Sequence, residues 1–148
     1  MNIIFFDIDG VLNHWNCKGF TDWDIVERLK QMAIDCSAKL VMSSSWKDVF
    51  IHPDNYSEPD RKFPHRIVEE FGDLFIGHCP EIDDERRGEE VSAWLLDHPE
   101  VENFVILDDL DFDFPEIFPD NFVKTTGLAG EGFSREDEVR ARKILMDE

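Results

Sequence analysis

An α/β fold with a mostly parallel central sheet is what this chain predicts, on three observations. Short apolar runs of β propensity occur without polar alternation, as in strands covered on both faces. Segments of helical period lie between those runs, the pattern of a parallel sheet flanked by helices on both sides. Three of the runs end in clusters of carboxylates or hydroxyls, and ligands of open α/β sheets sit beyond the carboxyl ends of the strands.

The elements follow in order. Residues 3–6, Ile-Ile-Phe-Phe, read as a buried strand ending at Asp7-Ile8-Asp9-Gly10. Thr21 and Asp24 have capping-box spacing, and Ile25, Val26, Leu29, Met32, Ala33 and Cys36 then recur at helical period, which predicts a helix beginning at Thr21. Lys39–Met42 reads as a second strand, closing in Ser43-Ser44-Ser45. Residues 47–66, rich in Pro, Asp and Asn, read as an irregular excursion, with a short helix around His65–Phe71. Glu89–Leu96 carries Val91, Trp94 and Leu95 on one helical face and stops before His98-Pro99, because a residue preceding proline avoids the α conformation. Asn103–Leu107 is a third buried strand, ending in Asp108-Asp109, and Asn121–Lys124 a short fourth. A helix from Ser134 to Met146 closes the chain. Without repeats, low-complexity tracts or linkers, residues 1–148 are expected to form one domain, with 47–86 an irregular insertion or small lid.

Composition narrows the function classes. At 148 residues, 42% hydrophobic and 33% charged, the chain has the makeup of a globular protein with a core of its own. No apolar run approaches the roughly 18 residues of a membrane-spanning helix, and the N-terminus lacks a basic region and cleavage site. Cys17, Cys36 and Cys79 are odd in number and widely spaced, which argues against a disulfide framework or a CxxC zinc site and predicts a reducing, cytoplasmic setting. A net charge of −19 disfavours stable binding to nucleic acid, which is held through Lys and Arg contacts to phosphate.

Converging strand ends would bring together Asp7, Asp9, Asp108, Asp109 and, farther along, Asp113, which repel one another unless a hard cation neutralises them. Mg²⁺ suits such a site, since it takes a few carboxylates plus waters and substrate phosphate. An aspartate can also serve as a covalent nucleophile toward phosphorus. Ser43 offers a hydroxyl and neighbouring backbone N–H groups to phosphoryl oxygens, and an arginine could neutralise the charge that develops.

The motifs resemble those of the haloacid-dehalogenase-like (HAD) superfamily of phosphatases. Its DxDG motif after an apolar strand matches Ile3–Leu12, its strand ending in Ser or Thr matches Leu40–Ser43, its basic motif matches Arg87, and its acidic motif matches Val105–Asp109 with Asp113 four residues on. The resemblance implies a Rossmann-like three-layer sandwich with a minimal cap. It also implies that Asp7 accepts the phosphoryl group, and that Asp9 protonates the leaving oxygen and then activates water. Mg²⁺ would bind Asp7, Asp109 and the backbone carbonyl of Asp9, with Asp108 and Asp113 open as ligands or orienting residues. Ser43, Ser44 and Arg87 would hold the phosphoryl oxygens, with Arg86 and Lys47 open in that role. The superfamily usually has Lys where Arg87 stands, and Arg differs in binding two oxygens through a planar fork. Between Leu12 and Asp22 only a short loop fits, leaving an open site for a large substrate.

Ser43–Trp46, residues 87–95, Val105–Asp109 and Val123–Leu128 are more narrowly similar to small HAD domains linked to "Swiss army knife" RNA-repair proteins, and in layout to polynucleotide phosphatases. The resemblance implies phosphomonoester hydrolysis, with a nucleic-acid 3′- or 5′-phosphate end as one substrate class. A metabolite or nucleotide phosphatase is the alternative, and a non-catalytic Mg²⁺-binding regulatory or interaction module is the alternative of another class. A receiver domain fits less well, because its acceptor aspartate follows a later strand. His14 and Cys17 read as loop or packing residues, Trp94 as core, and Trp15 and Trp46 as candidates near substrate. The basic window Arg61–Arg66 is either a solvated loop or a lid that offsets the negative field for an anionic substrate.

Overall fold

A computed structural model describes residues 1–147. Five strands form one all-parallel sheet: β1 (Asn2–Phe6), β2 (Ala38–Met42), β3 (Phe75–His78), β4 (Asn103–Asp108) and β5 (Phe122–Lys124), in the order β3-β2-β1-β4-β5. This is the predicted class, with one strand more than the apolar runs indicated.

The lack of polar alternation in the central strands now has its cause. In β1, Ile4 and Phe6 face one core while Ile3 and Phe5 face another. β2 splits the same way, Leu40 and Met42 against Val41, and so does β4, Val105 and Leu107 against Ile106. Side chains alternate faces with period two, so a strand covered on both sides must be apolar at every position. The first core is closed by α1 (Trp23–Asp35), α3 (Glu58–Phe71) and α6 (Arg135–Leu145), through residues such as Leu29, Phe71 and Leu145. The second is closed by α4 (Arg87–Leu96) and the short α5 (Phe114–Ile117), through Val91, Trp94 and Phe114. Trp94 is a core residue, as its spacing predicts, with its ring edge-on to Phe5 and stacked on His98.

Local chemistry moves several boundaries. α1 is capped by Asp22 rather than Thr21: the Asp22 carboxylate accepts from the Asp24 and Ile25 N–H groups at 3.1 and 3.3 Å. α6 has a full capping box, in which Ser134 Oγ accepts from Asp137 N at 3.2 Å and Asp137 Oδ2 from Ser134 N at 3.0 Å.

The largest departure lies in residues 47–86, where an irregular insertion or small lid with a short helix around His65–Phe71 was expected; that helix is the second half of a longer one. The segment contributes a turn of 3₁₀ helix at Ser45–Lys47, α2 (Asp48–Ile51), the 14-residue α3 and strand β3. Pro59 stands in the first turn of α3, where its missing N–H costs nothing, and Pro64 inside it removes one helical bond. Burial of Ile67 and Phe71 against the sheet outweighs that loss. β3 escaped notice because it is four residues long, only partly buried and contains Gly77 opposite a register shift in β2.

Ser134→Ala removes one arm of the α6 capping box. Thermal melts should show a loss of about 1 kcal/mol, a fall in Tm of about 2–4 °C for a domain of this size.

Candidate active site

Hydrogen bonds that run past the strand ends bring the predicted residues to one edge of the sheet. Asp7 N donates to Leu107 O at 3.0 Å, Ser43 N to Phe6 O at 2.9 Å and Thr125 N to Asp108 O at 2.9 Å. The ladder thus continues one residue beyond β1, β2 and β5 and lines up Asp7, Ser43 and Thr125 with Asp108, the last residue of β4. Asp7, Asp108 and Asp109 each place a carboxylate oxygen within 4.8 Å of the others. Asp7 and Asp108 are buried, Asp109 half-buried.

Asp109 has its place because two glycines leave room for it. A Cβ on Gly10 would overlap the Asp109 carboxylate, and one on Gly127 would lie 3.3 Å from it. Both glycines have positive φ, +82° and +78°, which other residues adopt only under strain. Thr125 Oγ1 donates to Gly10 O at 2.7 Å and ties the two loops together.

Arg87 opens α4 and is the cation of this group. Its Nη1 lies 3.6 Å from Asp7 Oδ1 and 3.6 Å from Asp108 Oδ2, and it is 8% exposed. The Phe112 ring lies under its guanidinium, 4.5 Å from centroid to Cζ, a cation–π arrangement. Phe112 has φ of +45°, uncommon for a bulky residue, so local strain accompanies that placement. Nothing in sequence spacing identified Phe112. Arg86 points elsewhere: it is half-exposed, with Nε 2.7 Å from Glu89 Oε1 and Nη2 3.9 Å from Asp113 Oδ2 and 4.0 Å from Glu116 Oε2.

Asp113 does not join the carboxylate group. Its carboxylate accepts from Gly88 N at 2.6 Å and Glu89 N at 3.2 Å, holding the first turn of α4 and with it the backbone that carries Arg87. Lys47 is also turned away from the carboxylates. It is buried and pairs with Glu90 at 3.0 Å, whose other oxygen accepts from Ile82 N and Asp83 N. Such a pair fixes the loop before α4, since removing either partner would strand a buried charge.

Asp9 is exposed beside this buried group. Its carboxylate accepts from Trp46 Nε1 at 3.0 Å and from Asn13 Nδ2 at 3.0 Å, and Asn13 Oδ1 in turn accepts from Gly10 N at 2.8 Å. Trp46, a candidate for the substrate side, thus holds Asp9, and Asn13 is a partner that no sequence motif marked. Ser43 Oγ is buried without a hydrogen-bond partner among the described residues. The Ser44 hydroxyl accepts from Trp46 N at 3.1 Å, capping the 3₁₀ turn. His14 pairs with Asp22 at 2.8 Å and Cys17 leans on Gly19 O, both local packing contacts.

Burial raises the pKa of Asp7, against the lowering effect of Arg87 and of its hydrogen bonds to Ser44 and Ile8. Asp108 is raised further, by burial first and then by the charge on Asp7. One guanidinium therefore does not balance these carboxylates, and Asp108 Oδ2 has no hydrogen-bond donor among the described residues. An all-oxygen donor set with one unsatisfied buried carboxylate oxygen fits a hard divalent cation. A second group of ligand atoms, Asp48, His52 and Glu81, lies at the surface, where Tyr56 already donates to Asp48 at 2.6 Å.

A family model described as the HAD domain in Swiss Army Knife RNA repair proteins matches residues 3–137. The chain belongs to this family of HAD domains, in agreement with the resemblance its motifs carry. No curated protein and no solved structure shows significant similarity to it.

The raised carboxyls fix the sign of a pH effect. Between the ordinary carboxylate value near 4 and their raised folded values, the folded state binds more protons than the unfolded one. Stability of the metal-free protein should therefore fall as pH rises through that window. Melts in EDTA should show this fall, and Asp108→Asn should flatten it. Added Mg²⁺ at a hundred times Kd should raise Tm by about 5–10 °C at pH 8 and by less at pH 5, and should shift Asp109→Asn much less.

Proposed function

We propose that this chain is a Mg²⁺-dependent phosphomonoester hydrolase that works through an aspartyl-phosphate on Asp7 and acts on phosphorylated ends of nucleic acid. The observation that carries the reading is a buried carboxylate, Asp7, next to a buried arginine and next but one along the chain from an exposed, hydrogen-bonded carboxylate, Asp9. A nucleophile needs to be ionised, and Arg87 favours that form of Asp7 against the cost of burial. A general acid–base needs access to solvent and a fixed orientation, and Asp9 has both.

In the first step an Asp7 oxygen attacks phosphorus, the bond from phosphorus to the ester oxygen breaks, and Asp9 gives its proton to that leaving oxygen. Asp9, now a carboxylate, takes a proton from water as the water oxygen attacks the same phosphorus. The bond from phosphorus to Asp7 breaks and inorganic phosphate departs, with Asp9 protonated again. Arg87 and the Ser43 hydroxyl are the groups that would meet the phosphoryl oxygens, where charge accumulates. Asp7, Asp109 and the Asp9 carbonyl would hold Mg²⁺, with Asp108 beside them. When bound, the ion supplies positive charge that lets anionic substrate and carboxylates share the site.

The family's association with RNA repair supports a nucleic-acid end as substrate. The charge of −19 opposes lasting adhesion to a polyanion but not a brief contact with one terminus. We place the reaction in the cytoplasm, where three unpaired cysteines would stay reduced. Among the described residues no helix is long and apolar enough to cross a membrane.

Turnover of p-nitrophenyl phosphate with Mg²⁺ tests the chemistry. It should fall to background in Asp7→Asn, and Asp9→Asn should slow turnover and let labelled phosphate accumulate on the protein. Arg87→Ala should cost about 10²–10³ in kcat and Arg86→Ala far less. Mg²⁺ binding without turnover of any phosphate ester would instead identify a regulatory or interaction module, and a preference for mononucleotides over 3′- or 5′-phosphorylated oligonucleotides a metabolite phosphatase.

A further inference from the structure

A groove of about 400 Å³ runs between the loop before α1 and helix α3. Phe20, Trp23 and Phe63 line it, together with Lys18, Lys62 and Arg66. Two features mark it, and no acidic residue lines it. Phe20 is 82% exposed and Trp23 45% exposed, so neither ring contributes much to a core. Three cations also converge there in a chain with 15 Lys and Arg against 34 Asp and Glu. Lys62 has only a solvent-exposed pairing with Glu58, and among the described residues Lys18 and Arg66 have no ion-pair partner.

The groove is joined to Asp9 by two routes. Trp46, which donates to the Asp9 carboxylate, packs edge-on against Phe63 with centroids 4.8 Å apart, and Phe63 meets Phe20 at 6.3 Å. Asn13, the other donor to Asp9, donates also to the backbone carbonyl of Phe20 at 3.0 Å. A stacked strand advances about 3.4 Å per nucleotide, so a chain whose end lies at Asp7 needs only a few nucleotides to reach these rings.

We propose that this groove is a stacking subsite for the nucleobases of a single-stranded nucleic-acid end, a proposal that rests on the hydrolase reading for the position of the terminal phosphate. Exposed flat rings flanked by cations are the combination that single strands require: bases stack on the aromatics while Lys and Arg meet the backbone phosphates. A small sugar phosphate has no base for three aromatic rings, and an acidic peptide would use the cations and leave the rings idle. The local positive charge also shows how a chain of −19 can accept a polyanion briefly, at one place and in one direction.

Binding of a short fluorescein-labelled single-stranded RNA with a terminal phosphate to Asp7→Asn protein, read by anisotropy, tests the groove without turnover. Phe20→Ala combined with Trp23→Ala should weaken binding by about tenfold or more. Lys18→Glu combined with Arg66→Glu should weaken it as well, and should flatten the dependence of log affinity on log salt by about 0.7 for each phosphate no longer neutralised. With Asp7 intact, the same changes should lower oligonucleotide turnover relative to p-nitrophenyl phosphate turnover by a similar factor. Melting curves check that the variants are folded, and Phe20→Ser alone replaces the aromatic pair if that pair unfolds. Equal affinity of the parent and groove variants at matched salt, or no measurable binding by the parent, overturns the proposal. Absence of p-nitrophenyl phosphate turnover by the unmodified chain overturns the hydrolase reading instead, and leaves the anisotropy comparison to judge the groove.

Discussion

Two carboxylates buried side by side, Asp7 and Asp108, are the constraint around which this molecule is arranged. Desolvation penalises each charge, and their repulsion adds to it. The Asp109 charge adds to that penalty, while other neighbours ease it or keep the pair in place. Arg87 lies 3.6 Å from both, Phe112 supports its guanidinium, and Asp113 holds the helix turn from which it projects. The remaining negative charge is what a hard cation would neutralise in the proposed reading.

The supporting elements lie farther from the chemistry than the motifs suggest. Residues 47–86 supply helix α3, which walls the proposed base groove, and Glu90, just beyond them, clamps the segment's last loop through its backbone N–H groups. Lys47 completes that clamp from the other side as a buried ion pair. The segment is thus part of the sheet and its covering layer rather than an appendage, and its basic residues Lys62 and Arg66 project from a regular helix.

Charge in the chain is divided by depth. Most acidic residues face water, where they interact weakly through a high dielectric. The few that are buried interact strongly and are each met by a named donor: Asp113 by two N–H groups, Glu90 by Lys47 and two N–H groups, Asp137 by Ser134. Asp108 differs: one oxygen accepts from Leu110 N, and the other has no hydrogen bond among the described residues and only Arg87 Nη1 at 3.6 Å, whereas Glu90 Oε1, also without a hydrogen bond, has Lys47 Nζ at 3.0 Å. That asymmetry separates a carboxylate with a structural partner from one available to a ligand.

The sequence by itself determined the sheet and the edge where the site would form. Strands covered on both faces must be apolar at every position, so β1, β2 and β4 could be read directly, and the polar residues ending them had to gather at one edge. Local signals were less reliable where two competed: Asp22 outdid Thr21 as a cap, and prolines hid the first half of α3, whose second half was legible around His65–Phe71, because its stability comes from burial of Ile67 and Phe71 rather than from propensity. Only the tertiary structure decided that Arg87 rather than Arg86 faces Asp7, that Asp113 binds backbone, that Lys47 pairs with Glu90, and that Trp46 and Asn13 hold Asp9. Adjacent residues at a helix start differ by about 100° in direction, and contacts between residues far apart in the chain depend on how the layers pack. Spacing along a sequence carries neither kind of information.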